Sequence, residues 1–573
     1  MSGGELIDSF PDGNEITVEL KTHNQKTVRT FSNRLFVTQH IRTFDTMSQS
    51  RGVPGEILME AAAQGVYRWF VSQCQRQAPV QSNRQSVMIL CGPGNNGADG
   101  MALGRIFACD SWNTHILICN ESSKGLWNTQ RTILNELDIP INMFDHNLAM
   151  NLLPSCSWVF DCVLGTGQRL PLQNKVLGPA NFLSQLSNLN QKDLGFAKPT
   201  IIALDTPTGD YRADVTLCLG AWNLELYQPS KRRNCGSIHR ISLPFVVSES
   251  QDPLYQSKEF QGPTGSFIDY QSVLASCSKP DRHTFKNLRG SVGVVGGSTK
   301  YPGAPLLTLG GAAKSGAGLL YLNHPDPSVF STSPGYIPLS RTDPFPASLV
   351  IGPGWDPEIG KPLSSEYLFY EQQLIQWCSP STAVTKSSKS ISPLPTFILD
   401  AGALRVLAKS QKAQRMIKTL THEQGLSIIL TPHYGEMKDL LTHFFLEIDA
   451  ESSEIERIQY FAAALGVWLV VKYDATLVID PTGRIKVLDN PCPILGFGGS
   501  GDILAGIIAT QLSQLTQPDT IWDGLRRAVV LHNFVGTRCE QEKGFVTAQE
   551  YLDMLGFTMA HGLGRQDSQD RFI

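Results

Sequence analysis

No two of the twelve cysteines in this chain form a C-x-x-C pair. They are scattered, several of them inside apolar runs such as "MILCG" and "ILICN". That excludes a zinc framework or a disulfide scaffold and predicts buried free thiols in a reducing compartment. H-E-x-x-H is absent too, which leaves metal-dependent hydrolysis without a signature. No apolar run approaches the roughly 18 residues needed to span a bilayer. The first 33 residues are polar and mixed in charge, without the apolar core of a secretory signal, and read as an N-terminal extension. A cytoplasmic protein with no membrane partner is expected. Excess basic charge is also missing: the net charge is −4, which gives no support to a nucleic-acid-binding face. What the chain has is length, 573 residues, with 41% hydrophobic and 17% charged. Those values describe two or more packed domains and exclude a disordered chain.

Short apolar runs alternate with helix-length segments. "SVMILCG", "THILICN", "SWVFDC" and "PTIIALD" read as buried strands, and the pattern fades after "ISLPF" at 241–245. It restarts at "SVGVVGGS" (291–298) and continues through "GAGLLYLN", "SLVIGPGW", "PTFILDAGA", "LSIILTPH" and "VWLVVKYDATLVID". Such alternation predicts α/β architecture, two doubly wound domains with parallel sheets covered by helices. The domain organisation expected is an extension at 1–33, a first domain at 34–245, a polar linker at 246–279 and a second domain at 280–573. Ligands of such sheets bind at the carboxyl ends of the strands, and the glycine- and acid-bearing motifs fall there.

The stretch "ILGFGGSGDILAG" (494–506) carries five glycines and one acid, Asp502. Glycines allow close backbone approach, and a helix start behind them aims free N–H groups and a positive dipole at one point. Phosphate suits that point. A carboxylate beside it needs a reason, and taking a proton from a hydroxyl that attacks a phosphoryl group is one. In the first half, "GPGNNGADG" (92–100) can be read as a tight turn or as a close approach to a pyrophosphate. "FDCVLGTG" supplies Asp161, and "LDTPTG" supplies Asp205 and Thr208. Two acids and an asparagine oxygen at strand ends suit a monovalent cation or a proton-transfer site, and helix capping is the bland alternative for Asp205.

Residues 280–560 resemble the ribokinase-like ADP- or ATP-dependent NAD(P)H-hydrate dehydratases through "VVGGSTKYPGAPLLTLGGAAKSGAGLL", "VIGPG", "LDAGAL", "LTPHYGE", "VVKYDAT" and "GGSGDILAG". The resemblance implies that Lys472, Tyr473, Asp474, Ala475, Thr476 and Gly501 hold the adenine nucleotide. It implies that Ala304, Gly354, His433 and Asp502 face the hydrated dinucleotide, with Asp502 as base. Mg²⁺ is implied as the companion of ADP or ATP. Residues 34–245 resemble the NAD(P)H-hydrate epimerase domain, a Rossmann-like three-layer sandwich. The match runs through "GEILMEAAAQG", "NNGADG", "FDCVLGTG" and "LDTPTG". It implies substrate contacts at Asn95, Asn96, Gly97, Ala98 and Asp99, at Gly165, Thr166, Gly167, Gln168, Arg169, Leu170 and Pro171, and at Asp205, which is also catalytic. Asn96, Asp161 and Thr208 would bind K⁺. The chain departs from the usual patterns at Ala98 and Gly402, where glycine and aspartate are usual, and at Tyr473, where glycine is usual. The function implied is a bifunctional metabolite-repair enzyme, isomerase and lyase, acting on NADHX and NADPHX as a homo-oligomer. The rival reading is a small-molecule kinase with a non-catalytic dinucleotide-binding first half.

Overall fold

The structure, a computed structural model, describes residues 33–561 except 77–85, 123–124, 169–170, 248–263, 278–282, 334, 342–344, 358–363, 380–394, 445–451 and 517. Nearly all of the expected N-terminal extension therefore lies outside the described residues.

The first half builds a seven-stranded, wholly parallel sheet. Its spatial order is Ile141–Met143, Asn113–Ile118, Ser86–Cys91, Trp158–Cys162, Thr200–Leu204, Val215–Leu219, Ser237–Ile241. Helices cover both faces, which is why Ser86–Cys91 is buried at every position. Side chains still alternate: Val87, Ile89 and Cys91 enter one core, Met88 and Leu90 the other. All twelve cysteines are free thiols, as expected, but only seven are buried and Cys109 is exposed.

The second sheet has twelve strands. From Ile337–Pro338 it runs through Leu319–Asn323, Ser291–Val295, Ser348–Ile351, Thr396–Leu399, Ile428–Leu430 and Trp468–Lys472, all parallel. Thr476–Ile479 and Ile485–Leu488 follow antiparallel. Three further strands complete it: Thr264–Phe267, Arg34–Phe36 and Trp222–Asn223. Two of these come from the first half. The third comes from the stretch expected as a linker. Residues 264–277 are not a linker: they form that strand and the helix Tyr270–Ser276, whose first turn is capped by Asp269. One apolar cluster accordingly joins Leu35, Leu224 and Tyr227 to Leu477, Ile485 and Val487 of the second half.

The parallel run of each sheet has one point where the chain reverses its direction of strand addition, and ligand crevices open there. In the first sheet it lies between Ser86–Cys91 and Trp158–Cys162, and in the second between Ser291–Val295 and Ser348–Ile351.

Two candidate active sites

At the first reversal point, Gly94 leads into the helix Asn95–Cys109 with no side-chain cap. The turn is packed backbone on backbone: a β-carbon at Gly97 would lie 1.8 Å from the Gly92 carbonyl oxygen. Ala98, the departure from the usual glycine, is fully buried. Asn95, Asn96, Asp99, Gly165, Thr166 and Asp205 share a cavity of about 410 Å³. The carboxylate Oδ2 of Asp205 lies 3.3 Å from where a β-carbon on Gly165 would stand, and the Asn96 Cβ lies 3.5 Å from the same point.

Asp205 sits at φ +62°, a region that a non-glycine residue enters at a cost and that marks functional strain when packing enforces it. Its Oδ1 accepts the Leu219 amide at 3.1 Å. Burial pushes its carboxyl up to about 6. The Leu219 amide and the Arg42 charge pull it down, and Asp45 pushes it up. Asp99 is driven well above the carboxylate range, first by burial and then by Asp205 and Asp45. Arg42 and Asp45 line the same cavity from the helix Thr38–Ser50. Sequence reading missed both, because a charged pair three apart on a helix reads as a solvated face.

Asp161 is fully buried and accepts four hydrogen bonds: Val163 amide (3.1 Å), Thr208 amide (2.8 Å), Thr208 hydroxyl (2.9 Å) and Tyr211 hydroxyl (2.7 Å). These partners are all neutral. The Oδ1 of Asn96 is buried without any partner, while its amide nitrogen reaches the Leu204 carbonyl at 3.4 Å. A buried carboxylate among neutral donors and an orphaned buried amide oxygen are groups that a monovalent cation would satisfy. Gln168 spends both ends of its amide on the neighbouring loop, at Pro207 O and Gly209 N, both 2.9 Å. Pro171 lines an adjoining cavity of about 530 Å³ with Gly94, Gly167, Gln168 and Lys175. Arg169 and Leu170 lie outside the described residues.

In the second half, two helices run parallel. Leu307 meets Gly499 and Gly311 meets Ile503, while Thr308 meets Gly506 and Ala312 meets Thr510. The rows step by four on both helices, so the starts of Ala304–Lys314 and Ser500–Ser513 point the same way, and neither has a side-chain cap. Two sets of free N–H groups thus face one region. Gly354 lies against the first start, a β-carbon there standing 3.2 Å from Ala304 Cβ.

Asp502 occupies the first turn of the second helix. Burial and the Asp400 charge push its carboxyl up to about 7, against the pull of Lys472. Lys472 ends its strand with its ammonium 3.0 Å from Asp400 Oδ1 and 3.2 Å from the β-position of Gly501. Burial pulls that ammonium down, but Asp400 and Glu436 more than offset it. Asp400 also accepts the Thr431 hydroxyl at 2.7 Å. Glu436 is pushed up to about 7 by burial, with Lys472 opposing and Asp400 adding. Asp400, Glu436 and Asp502 therefore surround one ammonium. Sequence reading named only Asp502 of these acids.

His433 caps the helix Tyr434–His443, its Nδ1 accepting the Gly435 and Glu436 amides at 3.0 and 3.3 Å. An Nδ1 so engaged leaves the proton on Nε2, and burial with the Lys472 charge lowers the ring's pKa. His433 is thus a neutral donor through Nε2. His532, also missed, is buried under the glycine turn, 3.2 Å from Ser500 Oγ, and burial pushes its pKa down to about 3. Gly402 has a local reason: a β-carbon there would lie 2.4 Å from Trp355 Cβ, so the aspartate usual in the resembling family has no room. Along 472–476, Asp474 is exposed, Ala475 is buried and Thr476 pairs with Lys472. The Tyr473 hydroxyl is spent on the backbone carbonyl of Tyr227.

Comparison with known proteins covers both halves. Residues 55–222 match the family described as YjeF-related protein N-terminus, and residues 371–555 match NAD(P)H-hydrate dehydratase. A Dictyoglomus turgidum protein, bifunctional NAD(P)H-hydrate repair enzyme Nnr, is 22% identical over 88% of this chain and 92% of its own. The protein of that name from a Synechocystis species is 25% identical over 81% of this chain and 83% of its own. Among solved structures, ADP/ATP-dependent NAD(P)H-hydrate dehydratase from Bacillus subtilis, crystallised with ATP and Mg²⁺ and soaked with CoA, aligns with 52% of this chain and 98% of its own. Its identity is 24% and its TM-score 0.38. With both of its halves matched, in this order along most of its length, the chain belongs to the family of bifunctional NAD(P)H-hydrate repair enzymes.

Proposed function

We propose that the first half interconverts the R and S forms of NADHX and NADPHX, and that the second half dehydrates the S form at the expense of ADP or ATP. One observation carries this reading furthest: a carboxylate held near pKa 7, Asp502, in the first turn of an uncapped helix beside a second uncapped helix start. A base so tuned is half ionised near neutral pH, where proton transfer is most efficient.

In the second half, Asp502 takes the proton of the C6 hydroxyl as its oxygen attacks the terminal phosphoryl group. The free amides of the two helix starts stabilise the charge that develops there. The C6–O bond then breaks with phosphate as leaving group, a proton leaves C5, and the ring regains its double bond. Lys472 binds phosphate oxygens at the Gly501 turn, and His433 Nε2 donates to the dinucleotide. Three carboxylates around one ammonium leave a negative surplus that suits a divalent cation. Mg²⁺ would spread the phosphate charge there, with Glu436 as the chain's own hard oxygen. The rival reading, a small-molecule kinase with a non-catalytic first half, is not favoured, because both halves match the family.

In the first half, C6 is a hemiaminal carbon. When Asp205 takes the hydroxyl proton, the N1–C6 bond opens with its electron pair passing to the ring nitrogen. Return of the proton after closure on the other face gives the opposite epimer. K⁺ would be held by Asn96 Oδ1, Asp161 and the Thr208 hydroxyl, and would hold the 163–165 loop against Asp205. Epimerisation should therefore be faster in KCl than in choline chloride, and Asn96→Ala should raise the K⁺ concentration for half-maximal rate. An equal rate in both salts would remove the cation from the site.

The reaction itself is tested by incubating mixed R and S NADHX with ADP or ATP and Mg²⁺ and following NADH absorbance. Full recovery, faster than spontaneous epimerisation, supports both halves, whereas an accumulating phosphoester would favour the kinase. The pH profile adds a test of Asp502. Dehydration kcat/KM should rise with pH through about 7 as Asp502 ionises. Asp400→Asn removes a charge that raises this pKa and frees Lys472 to lower it, so the limb should move to lower pH. An unmoved limb would separate Asp502 from the titration.

A further inference from the structure

The tip of the hairpin Trp468–Lys472 and Thr476–Ile479 carries the turn Tyr473-Asp474-Ala475, closed by Tyr473 N–H to Ala475 O at 3.2 Å. A small side chain would serve at such a tip, and none of its three residues has a positive φ. Tyrosine instead reaches out of the second half, its hydroxyl donating to the Tyr227 carbonyl and its ring packing against the apolar cluster shared by both halves. Tyr227 belongs to the first-half segment 224–236, which is tied down twice more. Arg232, nearly buried, places Nε 2.7 Å from Asp489 Oδ1, just past the strand Ile485–Leu488, and Nη1 2.8 Å from Gly236 O. The Ser230 amide donates to Glu454 at 3.0 Å, in the first turn of the helix Glu454–Leu465. The Arg232 guanidinium also stands 6.0 Å from the Tyr227 ring centre. The three ties reach the hairpin tip, the neighbouring strand end and a helix start.

We infer that segment 224–236 is a strut by which the first half sets the nucleotide affinity of the second, with Tyr473 as its pin and Arg232 as its footing. The inference rests on the reading of Lys472–Thr476 as the nucleotide-holding segment. Lys472 and Thr476 face each other across the hairpin one residue from the pinned turn. An unpinned tip is free to swing, and the ammonium beside Gly501 swings with it. Ordering the segment would then fall to the bound nucleotide, which weakens its binding. Chemistry at Asp502 would be untouched once the nucleotide is seated. Arg232 and Asp489 are therefore positioning residues, and their signature is a rise in KM for nucleotide without loss of kcat.

The test uses the full chain. Arg232→Gln and Asp489→Asn change residues in neither candidate site, and each breaks the buried Arg232–Asp489 ion pair. Each should raise the nucleotide KM by about three- to tenfold, the scale of one lost hydrogen bond or buried ion pair. The kcat and the KM for S-NADHX should stay as in the wild type. A nucleotide KM unchanged in both variants overturns the strut. So does a fall in kcat that tracks a fall in melting temperature, which would make the contacts purely structural. If the wild type turns over no hydrated dinucleotide, the dehydratase reading fails separately, and ADP binding by titration calorimetry still reads the strut. Equal affinities in wild type and variants, or no binding at all, would refute it.

Discussion

Asp502→Asn is expected to lower dehydration of S-NADHX by about 10²- to 10⁴-fold, the usual loss for a general base. The amide fits the same space but cannot accept the hydroxyl proton. Nucleotide binding should survive. The helix starts that face the phosphates belong to the backbone, and Lys472 keeps its place through Asp400 at 3.0 Å. Affinity for ADP or ATP can even improve, because a carboxylate near the phosphates has been neutralised. Single-turnover measurements at saturating nucleotide read the chemical step directly. Near-wild-type turnover would take Asp502 out of the mechanism, and a lost nucleotide affinity would make it a structural anchor instead.

The second large effect is expected at Asp205. Asparagine is the informative substitute, because it tolerates the φ of +62° better than alanine does. Asp205→Asn should reduce enzymatic conversion of the R epimer by about 10²-fold or more and leave the rate on pure S epimer unchanged. Stability separates catalysis from folding. The Asp205 pKa is raised from 3.8 to about 6 in the fold. The native state therefore holds the proton more tightly than the unfolded chain, and stability falls as pH rises between those values. Above pH 6 the buried anion is a standing cost that Asn removes. The variant should melt no lower than the wild type at pH 8. A variant that melts lower and loses both activities would show Asp205 to be structural.

The strand ends, the glycine turns and Asp502 were legible because each is a local signal: an apolar run, then glycines, then an acid. Asp400 and Glu436 carried no such mark. Asp400 ends a strand in "LDAGAL" as many acids do, and Glu436 sits in the capping pattern of its helix. Only the fold brings them to Lys472. Arg42 and Asp45 were hidden for the same reason, since their neighbours in space, Gly167 and Asp205, are distant in sequence. The three short strands that extend the second sheet were illegible too. Arg34–Phe36, Trp222–Asn223 and Thr264–Phe267 have two to four residues each, too few for a period to show. Their pairing is decided by partners far along the chain.

Those three strands also decide what the second half would be if it stood alone. Without Thr264–Phe267, one side of Ile485–Leu488 would present unpaired amides and carbonyls. Open backbone of that kind recruits other chains, and soluble proteins cover, charge or distort it to stay apart. Here the cover is a strand from the stretch between the halves, and that strand is covered in turn by Arg34–Phe36 of the upstream half. A gene that split the two activities at residue 280 would release a dehydratase with a sticky rim, and separation would have to be preceded by a new seal. The fusion thus protects against aggregation as well as linking two catalysts, and selection for solubility alone could hold the halves together.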